Sequence, residues 1–259
     1  MMQNKAGAEQ TKVYHITYSR SHAICSLFFW GCNLQCRICL LQKEAYDCHL
    51  AENRLGIYEP SYRTGVPNNF LALNQLFSLL NPIPLKKVFL MGAEALCDPT
   101  LPEILLYLKQ TKGSSVSLLT NGKKRAPLSM IDEIVFSIKA ITPSLHRDYT
   151  GEDNASILQN FMDMGGQKSV RLYAETVFIP GYVNEPEVMK IAKFIASVDR
   201  HIPFRIDAYL PMPGLPWRAV QTSEIEAVRD RVQEMLPNTT CLHGDYGRKM
   251  LAYEIERVF

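Results

Sequence analysis

Residues 23–42 read AICSLFFWGCNLQCRICLLQ. The first part, AICSLFFWG, is a short apolar run closed by a glycine and reads as a buried strand. The second part follows without a linker. It carries Cys32, Cys36 and Cys39 at C-x-x-x-C-x-x-C spacing, on a loop that begins where the strand ends. Gly31 and Asn33 flank the first cysteine and permit a tight backbone that turns N–H groups toward sulfur. Three soft thiolates in one short loop can hold three irons of a cubane cluster, leaving its fourth iron without a ligand from that loop. An open metal position suits a catalytic site, whereas a purely electron-carrying cluster usually fills all four. The competing reading is a structural zinc site completed by Cys48, His49 or His22. Zinc sites usually pair two C-x-x-C arms across a longer gap, and a second arm is missing.

Upstream, KVYHITYS alternates as an edge strand does. Downstream, residues 43–84 are mixed, with a loop-like stretch over 59–69 and a helical pattern in LALNQLFSLL. A regular rhythm then sets in. The segments KKVFLMG, SVSLLTNG, DEIVFSIKA, SVRLYAETVFIPG and PFRIDAYLP read as strands. LPEILLYLKQT, NASILQNFMDMG, PEVMKIAKFIASV and SEIEAVRDRVQEML read as helices, the third opened by Pro186 and the fourth capped by Thr222 or Ser223. Alternation of this kind predicts parallel pairing with right-handed crossovers, in a doubly wound sheet or a partly closed barrel. No G-x-G-x-x-G follows any strand, so a dinucleotide-binding sheet has no support.

Composition narrows the function classes. Seven cysteines, three of them within positions 32–39, suit a metal site in a reducing compartment better than a disulfide framework. Cys25 and Cys97 read as small core fillers, while Cys48 and Cys241 have no evident partner. The formal net charge is +2, and basic and aromatic residues do not interleave, so no nucleic-acid partner is expected. Lys123, Lys124 and Arg125 read as a solvated loop. The polar start MMQNKAGAEQTK and apolar runs too short to span a bilayer predict a cytoplasmic protein without a membrane partner.

The cysteine spacing, followed by the order of the later strand ends, resembles the radical S-adenosylmethionine superfamily. Within it the chain looks most like the short activating enzymes of glycyl radical enzymes, of the pyruvate formate-lyase activating type, from about Cys25 to Pro211. The resemblance implies a partial (β/α)6 TIM-like barrel with the cluster loop after the first barrel strand, and reactive groups at the C-terminal strand ends. It divides the chain into an N-terminal extension over 1–20, the barrel over 21–240 and a tail packed on it over 241–259. The implied cofactors are a [4Fe-4S] cluster on Cys32, Cys36 and Cys39 and S-adenosyl-L-methionine.

Further site residues follow from the same resemblance. Gly92, Ala93 and Glu94 stand where the family has Gly-Gly-Glu, a segment that binds the cosubstrate's amino group. Thr120-Asn121-Gly122 matches a strand ending and by itself reads as a turn. Ser137 and Lys139 replace an Asp-x-Lys pair that contacts the cosubstrate, with one negative charge lost. Ile38 stands at a usually aromatic position beside the adenine. Glu175 shares a strand face with Tyr173 and Val177 and is either paired or ligand-facing. Arg205, Asp207 and Tyr209 form a polar wall or a structural network, and Met212-Pro213 replaces a histidine found in several activating enzymes. His146 and Tyr149 fall in the loop after DEIVFSIKA, His146 in a structural role.

The implied reaction is reductive cleavage of S-adenosylmethionine to a 5'-deoxyadenosyl radical, which takes hydrogen from a substrate such as a glycine of a glycyl radical enzyme. Residues 40–85 carry only Cys48 where many activating enzymes hold extra clusters, so one cluster and an external reductant, flavodoxin or ferredoxin, are expected. The alternatives are a radical enzyme acting on a small molecule, of the 7-carboxy-7-deazaguanine synthase type, one modifying another peptide or protein, and a zinc-bearing interaction module.

Overall fold

The structure, a computed structural model, describes residues 9–39, 41, 65–212, 214–243 and 255–259. Strands β1 (Val13–Ser19), β2 (Ile24–Phe29), β3 (Lys87–Gly92), β4 (Ser115–Thr120) and β5 (Glu133–Ser137) form the first half of one sheet. The second half is β6 (Arg171–Phe178), β7 (Phe204–Ala208), β8 (Thr239–Leu242) and β9 (Glu256–Arg257). The order is β8-β7-β6-β5-β4-β3-β2-β1-β9, with β2 to β8 parallel and β1 and β9 antiparallel to their neighbours. The sheet is not closed, because β8 and β9 do not pair with each other. All six strands expected of the partial barrel, β2 to β7, form in chain order. β8 and β9 were not legible as strands; β8 lies across the 240/241 boundary and β1 within the first twenty residues.

The helices are α1 (Leu73–Leu80), α2 (Leu101–Leu106), α3 (Pro143–Thr150), α4 (Ala155–Gly165), α5 (Glu185–Asp199) and α6 (Thr222–Gln233). One sheet face is buried under them: Leu90, Leu118, Phe136, Ala174 and Ile206 pack with helix residues such as Ile104, Phe161 and Ile191. In β6 the alternation places Leu172, Ala174, Thr176 and Phe178 on that face, with Tyr173, Glu175 and Val177 half-buried on the other. The stretch expected as a loop around His146 is instead α3, opened by Pro143 and stopped by Gly151 at φ 78°. The cap of α6 is also shifted, since Gln221 rather than Thr222 or Ser223 precedes the first turn and its N–H donates to Glu224 at 2.9 Å.

Glu187 on α5 ties down the segment between β5 and α3. Its carboxylate is buried and accepts the Ile141 and Thr142 N–H groups at 2.7 Å and the Thr142 hydroxyl at 2.6 Å, with Lys190 at 3.1 Å. Burial alone would raise its pKa, but these donors outweigh it and hold the carboxyl below the usual 4.5. A depressed folded pKa adds stability above the unfolded value that is lost as pH falls through the folded one. Glu187→Gln is therefore expected to lower unfolding stability by about 1–3 kcal/mol at neutral pH. Urea titrations should show the gap from wild type narrowing as pH drops below 4.5.

Candidate active site at the C-terminal strand edge

Parallel strands end on the same edge, so the turns after β2 to β7 gather there. The cysteine loop leaves β2 through Trp30 and Gly31. Cys32 is exposed, Cys36 and Cys39 are half-buried, and all three are free thiols. The Cys39 N–H bonds the Cys36 carbonyl at 3.1 Å, a tight turn between two of the thiols. Cys32 Sγ accepts the Leu34 N–H at 3.4 Å and the Asn121 side-chain N–H at 3.3 Å. Two converging N–H donors are what a metal-bound thiolate uses. Burial pushes the Cys36 thiol up to about 11 and raises Cys32 as well, so thiolates form here when a bound cation compensates them.

The donor set, three thiols on one loop with N–H groups turned to the first sulfur, fits an iron–sulfur cluster. Among the described residues, no group of three His, Cys, Asp or Glu side chains is placed to hold a single metal ion. A cubane binds each thiolate to a separate iron, which needs no convergence on one ion. Of the possible zinc ligands, His22 bonds Ser19 and Ser21 in the turn before β2, at the far end of that strand from the cysteine loop. Cys48 and His49 lie outside the described residues.

The end of β3 is fastened to the root of that loop. The Ala93 N–H donates to the Phe29 carbonyl at 2.8 Å and the Glu94 N–H to the Gly31 carbonyl at 3.1 Å. Gly92 has φ +95°, and a Cβ there would lie 2.6 Å from the Phe29 carbonyl oxygen. Only glycine permits this approach. The Glu94 side chain turns inward and is fully buried. It accepts the Thr120 hydroxyl at 3.0 and 3.1 Å, the Asn121 N–H at 2.8 Å and the Leu96 N–H at 3.3 Å. Burial raises its pKa against the opposing pull of these donors.

The Thr-Asn-Gly turn has a chemical role that sequence reading missed. Thr120 and Asn121 clasp Glu94, and the Asn121 amide also reaches Asn33 at 2.8 Å and the Cys32 sulfur. One turn after β4 thus joins the β3 end to the cysteine loop. Nothing local signals this, since the partners lie 26 to 89 positions away.

On the other side of the mouth, register aligns Ser137, Glu175 and Arg205 across β5, β6 and β7. Lys139 Nζ donates to Ser137 Oγ at 2.6 Å, and Ser137 stands beside Glu175 in the strand register. Arg205 binds Glu175 at 2.6 Å and grips Asp207 through two nitrogens, at 2.6 and 2.9 Å. Burial raises the Glu175 carboxyl and Arg205 opposes it. Glu175 is therefore paired, in a polar row that stays half open. Tyr209 is apart from the row, its hydroxyl accepting the Met212 N–H at 3.1 Å. Ile38 is partly buried against the core beside the cysteines. His146 is buried with Nδ1 2.9 Å from the Glu152 carbonyl and Nε2 unbonded among the described residues. The structure thus brings the cysteine loop together with residues 92–94, and Ser137 and Lys139 with Glu175. No direct bond among the described residues joins these two groups.

Cys25 is a core residue, Cys97 is half-buried, and Cys241 has Arg229 3.7 Å from its sulfur. No described helix is long and apolar enough to cross a membrane.

No protein-family profile matches the chain. A protein of Methanocaldococcus jannaschii, named as a glycyl-radical enzyme activating enzyme, is 27% identical over 191 residues, which are 71% of this chain and 67% of that protein. Among solved structures, Streptococcus suis SuiB bound to precursor peptide SuiA has a TM-score of 0.59 at 12% identity, over 82% of this chain and 46% of SuiB. Escherichia coli QueE has a TM-score of 0.53 at 11% identity, over 91% of this chain and 95% of QueE. The chain is thus similar in sequence to a protein named as an activating enzyme, and its open α/β fold is shared with SuiB, QueE and a radical SAM methyltransferase of Sphaerobacter thermophilus, the last at a TM-score of 0.53 and 13% identity over 84% of this chain and 65% of that one.

Proposed function

We propose that this chain is a radical S-adenosylmethionine enzyme with a single [4Fe-4S] cluster on Cys32, Cys36 and Cys39, and that its substrate is a glycine of a glycyl radical enzyme. The observation that carries the reading is the Cys32 sulfur, which takes two N–H donors on a loop fastened to both the β3 and β4 ends. The sequence similarity to an activating protein supports the activase assignment.

When bound, the cluster and S-adenosylmethionine supply an electron and a 5'-deoxyadenosyl radical that takes a hydrogen atom from the substrate. The chain's own residues bind and orient. Backbone carbonyls of Gly92 and Ala93 would receive the cosubstrate's ammonium, with buried Glu94 adding negative charge behind them and ordering the segment through Thr120 and Asn121. Lys139 would meet the carboxylate as a point charge, with Ser137 beside it. Glu175, steadied by Arg205, would accept hydroxyl protons, and Ile38 would lie against the adenine. The unclosed sheet is compatible with a protein loop as substrate. A flavodoxin or ferredoxin would supply the electron, in the cytoplasm. Residues 21–240 would form the barrel, with β1 and β9 extending its sheet at one edge.

The test is to incubate reconstituted protein, S-adenosylmethionine and dithionite with a candidate glycyl radical enzyme. The expected result is 5'-deoxyadenosine together with a glycyl radical signal by electron paramagnetic resonance. 5'-Deoxyadenosine that accumulates only with a small heterocycle or a precursor peptide would move the substrate to that class. SuiB and QueE frame those alternatives by fold alone.

A further inference from the structure

Arg37 lies between two of the three cysteines, at a position the cluster reading leaves unassigned. Its backbone N–H donates to the Tyr149 carbonyl at 2.9 Å, next to a matching bond from Gln35 to Thr150. The cysteine loop is thereby laid against the last turn of α3. The Arg37 guanidinium donates to Asp148 at 2.8 Å, and the same carboxylate oxygen accepts the Tyr182 hydroxyl at 2.6 Å. Trp217 stacks on Tyr182 with ring centres 4.4 Å apart, and the guanidinium sits 5.7 Å from the Trp217 ring centre. Tyr149 packs on Tyr182 from the buried side at 5.6 Å.

Four chain segments meet at this one cation: the cysteine loop after β2, α3 after β5, the turn after β6 and the segment after β7. We propose that Arg37 is a positioning residue that fixes the Cys36–Cys39 half of the loop against Asp148, Tyr182 and Trp217, and so sets the spacing in which those two sulfurs meet iron. The inference rests on the cluster reading of the cysteine loop. The Arg37 and Asp148 side chains are about half exposed, so the ion pair alone contributes little. The restraint comes from three partners tied to one another, Asp148 by the Tyr182 hydroxyl and Tyr182 by stacking on Trp217.

The experiment uses the full chain, reconstituted anaerobically with iron and sulfide. It compares wild type with Arg37→Ala, Arg37→Lys, Asp148→Asn and Trp217→Ala. Arg20→Ala, which breaks an exposed pair with Glu256 at the opposite end of β2 from the loop, is the control. The readouts are the rate of iron release to a ferrous chelator and the paramagnetic resonance line shape of the reduced protein. Arg37→Ala and Asp148→Asn are expected to release iron about three- to tenfold faster with an altered line shape, the size of one partly exposed charge-assisted contact. Arg37→Lys should fall between, because it keeps the charge and loses the planar stack. Arg20→Ala should match wild type.

Wild-type release rates and spectra in Arg37→Ala and Asp148→Asn, from a wild type that holds iron, would overturn the positioning role and leave the cluster reading intact. A wild type that binds no iron would overturn both. Should Arg37→Ala fail to fold by circular dichroism, Asp148→Asn, an exposed and nearly isosteric change, decides the matter.

Discussion

Cys36→Ala is expected to leave the protein nearly free of iron after anaerobic reconstitution, while Cys48→Ala keeps the wild-type content of about four irons per chain. Cys36 is the middle ligand of a loop that offers only three. Cys25 is buried in the core of β2, and Cys241 lies on β8 beside Arg229. Burial lifts the Cys36 thiol to about 11, which makes its binding depend on compensation by iron rather than on a ready thiolate. Loss of one ligand from an already open cubane should make the cluster too labile to isolate, and iron and sulfide assays on gel-filtered protein measure it directly. Equal iron loss in the two variants would show that the ligand set is not the one assigned.

The second large effect is expected at Gly92. A methyl group there would collide with the Phe29 carbonyl oxygen at 2.6 Å and its nitrogen at 2.7 Å, both backbone atoms that cannot swing aside. The backbone conformation at φ +95° adds strain for any L side chain. Together these should cost on the order of 3–5 kcal/mol in Gly92→Ala. The damage falls where β3 is fastened to Phe29 and Gly31, so iron content and S-adenosylmethionine binding should drop along with stability. Gly181→Ala is the matched control. That glycine also has positive φ, +80°, but nothing lies within 4 Å of the added carbon, so only the strain of about 1–2 kcal/mol remains. Thermal unfolding and equilibrium binding on the two variants separate collision from strain.

These effects rest on features of unequal visibility in the amino-acid order. The six parallel strands were readable because each is a short apolar or alternating run punctuated by glycine, proline or a helix start. The cysteine loop was readable because its chemistry is local, three thiols within positions 32–39. β8 escaped because a four-residue run, TTCL, has no measurable period. α3 escaped because only His146, Tyr149 and Thr150 of its eight residues are buried, too few for an apolar stripe. The pairing of Glu175 was anticipated as one of two options, because a half-buried carboxylate needs a partner. Its identification as Arg205 needed the register of β6 against β7.

The contacts that tie the site together were the least visible. Asn121 reads as an ordinary turn residue, yet it reaches the Cys32 sulfur across 89 positions. Arg37 stands between two of the ligands and bonds Asp148 across 111. Long-range partners of polar side chains carry no periodic signal, so only the folded chain reveals them.

Electron paramagnetic resonance of the reconstituted, reduced protein, recorded with and without S-adenosylmethionine, tests the central claim most directly. A cubane on three thiolates with one accessible iron predicts a cluster signal whose g values shift when the cosubstrate is added. An unchanged spectrum, or a preparation holding zinc and no iron, would contradict the account.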